Sequence, residues 1–417
     1  MINNLSSLNR EALKREWRDA DLLLLLFTVI LTVLGGVVIR STELNAGWTD
    51  WWQHWIVGGI GLVLALSIAR WPYERLLRWH WFTYGITNIA LISVLKIGTS
   101  ALGAQRWITI GGFNIQPSEF AKLGVIITLA AVLHDRPIQK PIDIFRVMWV
   151  TLPPWLLIFV QPDLGTALVF AAISLGMLYW GGAKMRWLLL LGSPIVSAIV
   201  FNLSIPIWLI WVLAMTIVAW FSLPWIKVAS VLVVSVVNLI AGEIGHILWM
   251  VLQDYQKARL VLFLNPNQDP LGGGYHLIQS RIAIGAGKFW GRGLERGTQT
   301  QLNFIPEQHT DFIFSAIGEE MGFIGCLFIL LIFLGICWRL IVIALGARDN
   351  FGSLLAIGVF SLILFQAAVN IGMTIGVAPV TGIPLPWVSY GRSAMLTNFI
   401  AIGLVESVAA HRRTIKF

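Results

Sequence analysis

The feature that most constrains this chain is a series of apolar runs of near-spanning length. They fall at about residues 22–39, 51–69, 81–96, 118–133, 145–160, 164–180, 187–203, 206–221, 228–251, 312–337, 353–374 and 390–409. About 20 apolar residues in helical form cover the hydrocarbon core of a bilayer. The expectation is therefore an all-α polytopic membrane protein of about 10–12 transmembrane helices, forming one integral membrane domain over residues 1–417. Composition agrees: 57% of residues are hydrophobic and 12% charged, against about a quarter charged in soluble domains. The 21 Trp residues suit membrane–water boundaries, with Trp48, Trp51, Trp52 and Trp55 at one and Trp71, Trp79 and Trp81 at another. The runs 187–203 and 206–221 are joined by almost nothing and read either as two spans or as a re-entrant hairpin.

Lys and Arg set the orientation. With the N-terminus inside, alternate loops carry Arg70, Arg75 and Arg78; Arg136, Lys140 and Arg146; Lys184 and Arg186; Lys227; Arg339 and Arg348; and Arg412, Arg413 and Lys416. Both termini are expected to be cytoplasmic, with a charged lead-in over 1–21, lacking a cleavable signal, and a tail over 410–417. The net charge of +8 is dispersed over these loops, which argues against a nucleic-acid partner. Cys326 and Cys337 share one run; on a continuous helix they stand roughly 16 Å apart, too far for a disulfide, and read as packing residues.

The longest hydrophilic segment, 252–311, is expected outside as a large extracytoplasmic loop. It is basic, with Lys257, Arg259, Arg281, Lys288, Arg292 and Arg296, and reads either as a tolerated long loop or as a surface for an anionic ligand. Within it "YHLIQSRIAIGAG" is expected to form a short amphipathic helix lying on the membrane.

Ionisable groups in or beside spans are costly and mark functional candidates. Glu119 opens the fourth run, with Lys122 three residues on and so on the same helical face. Asp163 lies between the fifth and sixth runs, and Asp311 opens the tenth. The orientation puts these carboxylates at one level on the outer side. Each also reads as a helix cap or first-turn residue. Arg106 and Trp107 precede Glu119 on the same outer loop. They read as a turn with an interface anchor, or as a cation and aromatic face for an amphiphilic substrate bearing phosphate or sugar.

The stretches "GAQRWITIGGFNIQPSEFAKL", "QPDLGTAL", "DPLGGGYHLIQSRIAIGAG", "GTQTQLNFIPEQHTDFIFSAIGEEMGFIG" and "PLPWVSYGRSAML" resemble the SEDS family (shape, elongation, division and sporulation). "GTQTQLNFIPEQHTDFIF" is similar to its RodA branch rather than its FtsW branch. The resemblance implies a peptidoglycan glycosyltransferase of the bacterial cytoplasmic membrane, active at the extracytoplasmic face in cell elongation and shape maintenance. Its substrate is lipid II, an undecaprenyl-pyrophosphate disaccharide-pentapeptide, added to a growing glycan strand. A class B penicillin-binding protein is implied as transpeptidase partner, with other elongation-complex membrane proteins.

Residue by residue, the essential Asp of "HTDF" corresponds to Asp311, the Trp of "RW" to Trp107, the Glu and Lys of "PSEFAK" to Glu119 and Lys122, and the Asp of "QPD" to Asp163. Glu307 and His309, in the same polar run as Asp311, are candidate supporting groups. Asp311 is expected to act as general base, with Arg106, Lys122, Arg281 and Arg292 as candidates for stabilising the departing pyrophosphate. No spacing supports a protein-only metal cage, so a divalent cation (Mg or Mn) would be shared with the substrate pyrophosphate and with Asp163 or Glu307. Three departures from the family stand out. There is a surplus of about one hairpin between Arg186 and Asp254, Arg392 replaces a Gly in "SYGRS", and Lys288 stands where Gly is common. A lipid II flippase or transporter and a cell-wall scaffold are the alternative readings.

Overall fold

The computed structural model describes residues 20–43, 51–101, 104–110, 113–251, 269, 274–305 and 307–411. The lead-in over 1–19, Trp48, Lys257, Arg259 and the basic residues 412–417 lie outside the described residues. The long helices are α1 (Leu22–Glu43), α2 (Trp52–Ala69), α3 (Glu74–Ile97), α4 (Pro117–Asp135), α5 (Ile144–Val160), α6 (Leu164–Trp180), α7 (Met185–Leu203), α8 (Ile205–Ser222) and α9 (Lys227–Val251). After the short α10 (Tyr275–Gly287) and α11 (Thr298–Gln301) follow α12 (Ile313–Leu345), α13 (Asn350–Ile375) and α14 (Arg392–Ala410). Ten of these helices are long and apolar enough to cross a membrane, and α6 is an apolar helix of 17 residues. The chain is a multi-pass membrane protein. The runs 187–203 and 206–221 are two separate helices, α7 and α8, of 19 and 18 residues, turning at Ser204.

Local signals explain the helix ends. Asp163 caps α6 through Thr166 N–H at 3.1 Å, and Asp349 caps α13 through Gly352 N–H at 2.8 Å. Pro117 starts α4, where its missing N–H costs nothing. Helix α4 is the most enclosed span, with 83% of its apolar window inside. It packs against α3, α5, α6, α13 and α14, and so carries Glu119 and Lys122 into the centre of the bundle. By contrast, α7, α8 and α9 pack chiefly on one another. Buried hydrogen bonds run through this trio, from Trp208 Nε1 to Ser197 Oγ (2.7 Å) and from Asn238 Nδ2 to Ser193 Oγ (3.0 Å). Satisfying polar groups between helices in this way is the norm in a membrane. Cys326 and Cys337 are free and buried.

Three features depart from the sequence expectation. Between α3 and α4 stands a three-stranded antiparallel meander, β1 (Thr99–Ala101), β2 (Ala104–Ile110) and β3 (Phe113–Ile115). The β-branched "WITI" favours strand there, within an otherwise all-α fold. Second, Arg339 lies within α12 rather than in a loop. It grips both oxygens of Asp21, whose backbone N–H donates to Glu406 Oε2 at 2.8 Å. Third, α10 is a packed part of the bundle, with Leu277, Ser280, Ala283 and Gly287 turned inward against α12 and α13.

Helix α12 is broken at Gly322, whose φ of 67° and ψ of −163° leave the helical region. The segment 288–293 lies in the break and replaces the lost ladder with main-chain hydrogen bonds. Phe323 N–H donates to Lys288 O (3.0 Å) and Ile324 N–H to Phe289 O (3.3 Å); Arg292 N–H and Gly293 N–H donate to Glu319 O (3.0 Å) and Glu320 O (2.9 Å). A Cβ on Gly322 would sit 2.2 Å from Gly291 N. Gly322→Ala is therefore expected to lose on the order of 1–3 kcal/mol from backbone strain, with the clash in addition. A lowered Tm in detergent would show it. Gly59→Ala is the control, since a Cβ there meets nothing within 4 Å.

Candidate active site

At the end of the bundle shared by the sheet, the α5–α6 turn and the α13–α14 loop lies a cavity of about 80 Å³. Its polar lining comprises Arg106, Gln116, Glu119, Lys122, Asp163, Thr166 and Gln366, closed by Trp107, Val169 and the Gly382–Ile383–Pro384 segment. Four elements far apart in sequence thus converge: β2, the first turn of α4, the start of α6 and the middle of α13.

Within the cavity the charges are paired. Lys122 Nζ donates to Glu119 Oε2 at 2.6 Å, and both side chains are almost wholly buried. The three-residue spacing on α4 puts them on one face, and neither could be held there ionised without the other. Arg106 donates to Pro162 O and has a guanidinium nitrogen 3.9 Å from Asp163 Oδ1. Asp163 also accepts from Thr166 Oγ1 at 2.9 Å and from Gln116 Nε2 at 3.5 Å. Capping and cavity lining therefore coincide in Asp163. The lining holds two cations and two carboxylates and is formally neutral.

Asp311 approaches from the other side. It does not cap α12, whose N-cap is Phe312. Instead it lies in a turn in which Glu307 O accepts from the N–H groups of Thr310 (3.2 Å), Asp311 (3.1 Å) and Phe312 (3.3 Å). Its Oδ2 lies 3.4 Å from the point where a Cβ on Gly382 would sit. Gly382, with φ +72°, lines the cavity. The Asp311 carboxylate thus stands at ordinary van der Waals range from the cavity wall at Gly382.

The remaining sequence candidates separate from this group. His309 turns away: its Nδ1 is 3.7 Å from Glu43 Oε1 and its ring lies against Tyr390. Glu307 is exposed and accepts from Thr310 Oγ1 at 3.2 Å. Arg281 donates to Gly376 O at 3.0 Å, and Arg292 to Thr298 Oγ1 at 2.7 Å. Neither lines the cavity. Arg392, the departure in "SYGRS", donates to Gln53 Oε1 and lies 5.1 Å from the Phe113 ring, tying β3 to α2.

Sequence reasoning missed three groups. Gln366 lines the cavity with its Oε1 buried and unpartnered, and Asn370 stands one turn later on α13. Glu319, wholly buried, accepts from Gln299 N–H and Thr300 N–H, each at 2.9 Å, and so anchors α11. The available signal was a pair of amides four residues apart in an apolar run, "FQAAVN", since polar groups inside membrane helices deserve the same suspicion as charges. Among the described residues no group of three or more His, Cys, Asp or Glu could hold a metal ion.

Comparison with known proteins gives the family. The family model for FtsW, RodA and SpoVE, described as cell cycle protein, matches residues 20–208 and 202–414. The peptidoglycan glycosyltransferase MrdB of Escherichia coli is 36% identical over 72% of this chain and 69% of its own. The peptidoglycan glycosyltransferase RodA of Treponema pallidum is 34% identical over 94% of this chain and 98% of its own. Among solved structures, a chain from work on structural coordination of polymerization and crosslinking by a peptidoglycan synthase complex superposes with a TM-score of 0.73. It is 28% identical and covers 95% of this chain and 99% of that one.

Proposed function

The chain belongs to the SEDS family of cell cycle proteins that groups FtsW, RodA and SpoVE, and from that premise we propose that it polymerises lipid II into peptidoglycan glycan strands. The observation that carries the site assignment is the approach of the Asp311 carboxylate, at Gly382, to the cavity that holds Lys122, Glu119, Arg106 and Asp163.

In the proposed step the 4-hydroxyl of an acceptor GlcNAc attacks the anomeric carbon of a lipid-linked MurNAc. The new C–O bond forms as the bond to the pyrophosphate oxygen breaks, and undecaprenyl pyrophosphate leaves with the bonding pair. The hydroxyl proton passes to Asp311, and the configuration inverts. Arg106 and Lys122 are the cations placed to stabilise the leaving diphosphate. In the conformation described, each is engaged by a carboxylate, so a diphosphate competes with Asp163 and Glu119 for them. The cationic lining of the cavity suits the diphosphate, and the sugars are assigned to the Asp311 side. A divalent cation, Mg or Mn, would accompany the diphosphate and offset its charge, with Asp163 the cavity carboxylate nearest to hand.

The end of the bundle bearing the cavity is assigned to the extracytoplasmic face of the bacterial cytoplasmic membrane, in keeping with the basic loops at the other end. A class B penicillin-binding protein is the proposed partner. The test is incubation of the purified protein with lipid II, with and without such a partner, scored by glycan chain length. No polymer under either condition would count against the proposal. Asp163 offers a second check. Asp163→Asn keeps a good helix cap but removes the carboxylate that engages Arg106 and would accompany a divalent cation, so it should unfold at the wild-type temperature while its rate of polymerisation changes. Asp163→Ala should also lose about 0.5–2 kcal/mol of cap stability. Wild-type activity in the Asn variant would reduce Asp163 to a cap.

A further inference from the structure

The turn that presents Asp311 is held by three consecutive main-chain carbonyls, each accepting from a different donor. His309 O accepts from Tyr390 N–H at 2.9 Å, Thr310 O from Ser389 Oγ at 2.6 Å, and Asp311 O from Asn370 Nδ2 at 3.0 Å. Asn370 uses the same nitrogen to donate to Ile383 O at 2.8 Å. One wholly buried amide on α13 therefore joins the turn carrying the proposed base to the segment that forms the facing cavity wall. Ser389 does related work on the next carbonyl, and its Oγ accepts from Leu385 N–H at 2.8 Å.

We propose that Asn370, seconded by Ser389, is a positioning residue that sets how far the Asp311 carboxylate reaches toward Gly382 and the cavity. This rests on the assignment of Asp311 as the base. Three physical points support it. The two hydrogens of an amide diverge from one nitrogen at a fixed angle, so a single side chain fixes two carbonyls relative to each other. Ionised Asp, or Leu of similar volume, offers no donor there. Second, Asn370 is wholly buried on an apolar helix, and an apolar residue there would take this donor away from both Asp311 O and Ile383 O. Third, the donors act on main chain alone. The turn is held through its carbonyls, and Asp311 Oδ2 lies 3.4 Å from the Cβ position on Gly382.

Asn370 contacts no substrate in this scheme, so the test must separate positioning from folding. We expect Asn370→Leu, in the full-length protein, to lower kcat for glycan synthesis from lipid II by about 10²-fold, the scale of a 1 Å misplacement of a reacting group. KM should change less than about twofold, on the same argument that uniform binding is untouched. Asn370→Asp adds a signature that simple destabilisation lacks. A protonated carboxyl can donate one of the two hydrogen bonds and an ionised one neither. At this wholly buried site, facing two carbonyls, the neutral carboxyl is the favoured form, so the activity of Asn370→Asp should lie between those of Asn370→Leu and wild type. Ser389→Ala should reproduce a smaller kcat loss, of about tenfold, on the same reasoning. If Asn370→Leu folds and keeps wild-type kcat, or raises KM alone, the positioning role is wrong. If Asn370→Asp is no more active than Asn370→Leu, hydrogen-bond donation is not the cause and the role is likewise wrong. Asp311→Asn, run alongside, distinguishes the failures: an active Asp311→Asn overturns the base assignment, whereas an inactive one with an unaffected Asn370→Leu overturns only this inference.

Discussion

Asp311→Asn is expected to abolish glycan polymerisation from lipid II while leaving the fold intact. Asn has the size of Asp but cannot accept the proton of an attacking hydroxyl. Loss of a positioned general base costs roughly 10²–10⁴-fold, enough to drop below detection in a chain-length assay. The fold should survive because the turn is held by its main chain. Glu307 O gathers three N–H groups, and the carbonyls of His309, Thr310 and Asp311 are each bonded from elsewhere. A matching thermal unfolding curve with no polymer is the expected result. Near-normal polymer from a folded Asp311→Asn would falsify the assignment.

The second large effect is expected at Lys122. Replacing it with Met keeps the volume but strands the Glu119 carboxylate, 3% exposed, in the middle of the bundle. Breaking a buried pair from one side costs roughly 3–5 kcal/mol, because the surviving charge loses its partner without regaining water. The double variant Lys122→Met/Glu119→Gln should recover much of that stability, since no uncompensated charge remains. Polymerisation should stay lost in both, because one of the two cations assigned to the leaving diphosphate is gone. A double variant no more stable than Lys122→Met would show that the pair is not the source of the instability. If activity returned along with stability, Lys122 would be structural only.

How much of this was legible beforehand varies by element. The spans were, because a hydrocarbon environment leaves helices as the solution for such runs, and hydropathy reports them directly. The Glu119–Lys122 pair was also legible, since an ammonium one turn into an apolar helix requires a partner nearby. Convergence was legible only in part. Orientation put Glu119, Asp163 and Asp311 at one level, but level says nothing of azimuth around the bundle. His309, Arg281 and Arg292 share that level and point elsewhere. The cap rules misplaced Asp311 by one residue: the N-cap of α12 is Phe312, and Asp311 lies in the turn before it. The meander was hidden because two of its three strands, β1 and β3, are only three residues long. Asn370 and Gln366 were overlooked because attention went to charge, and an amide can organise a backbone without carrying any.

The broken helix has a consequence for exchanging parts between relatives. The segment 288–293 and the residues around Gly322 complete each other's hydrogen bonding, so they form one unit of inheritance although some thirty positions separate them. A chimera that imports a foreign loop ending before α12 would leave Glu319 O, Glu320 O, Phe323 N–H and Ile324 N–H facing a stranger's backbone. A junction placed beyond Ile324 keeps both halves from the same parent.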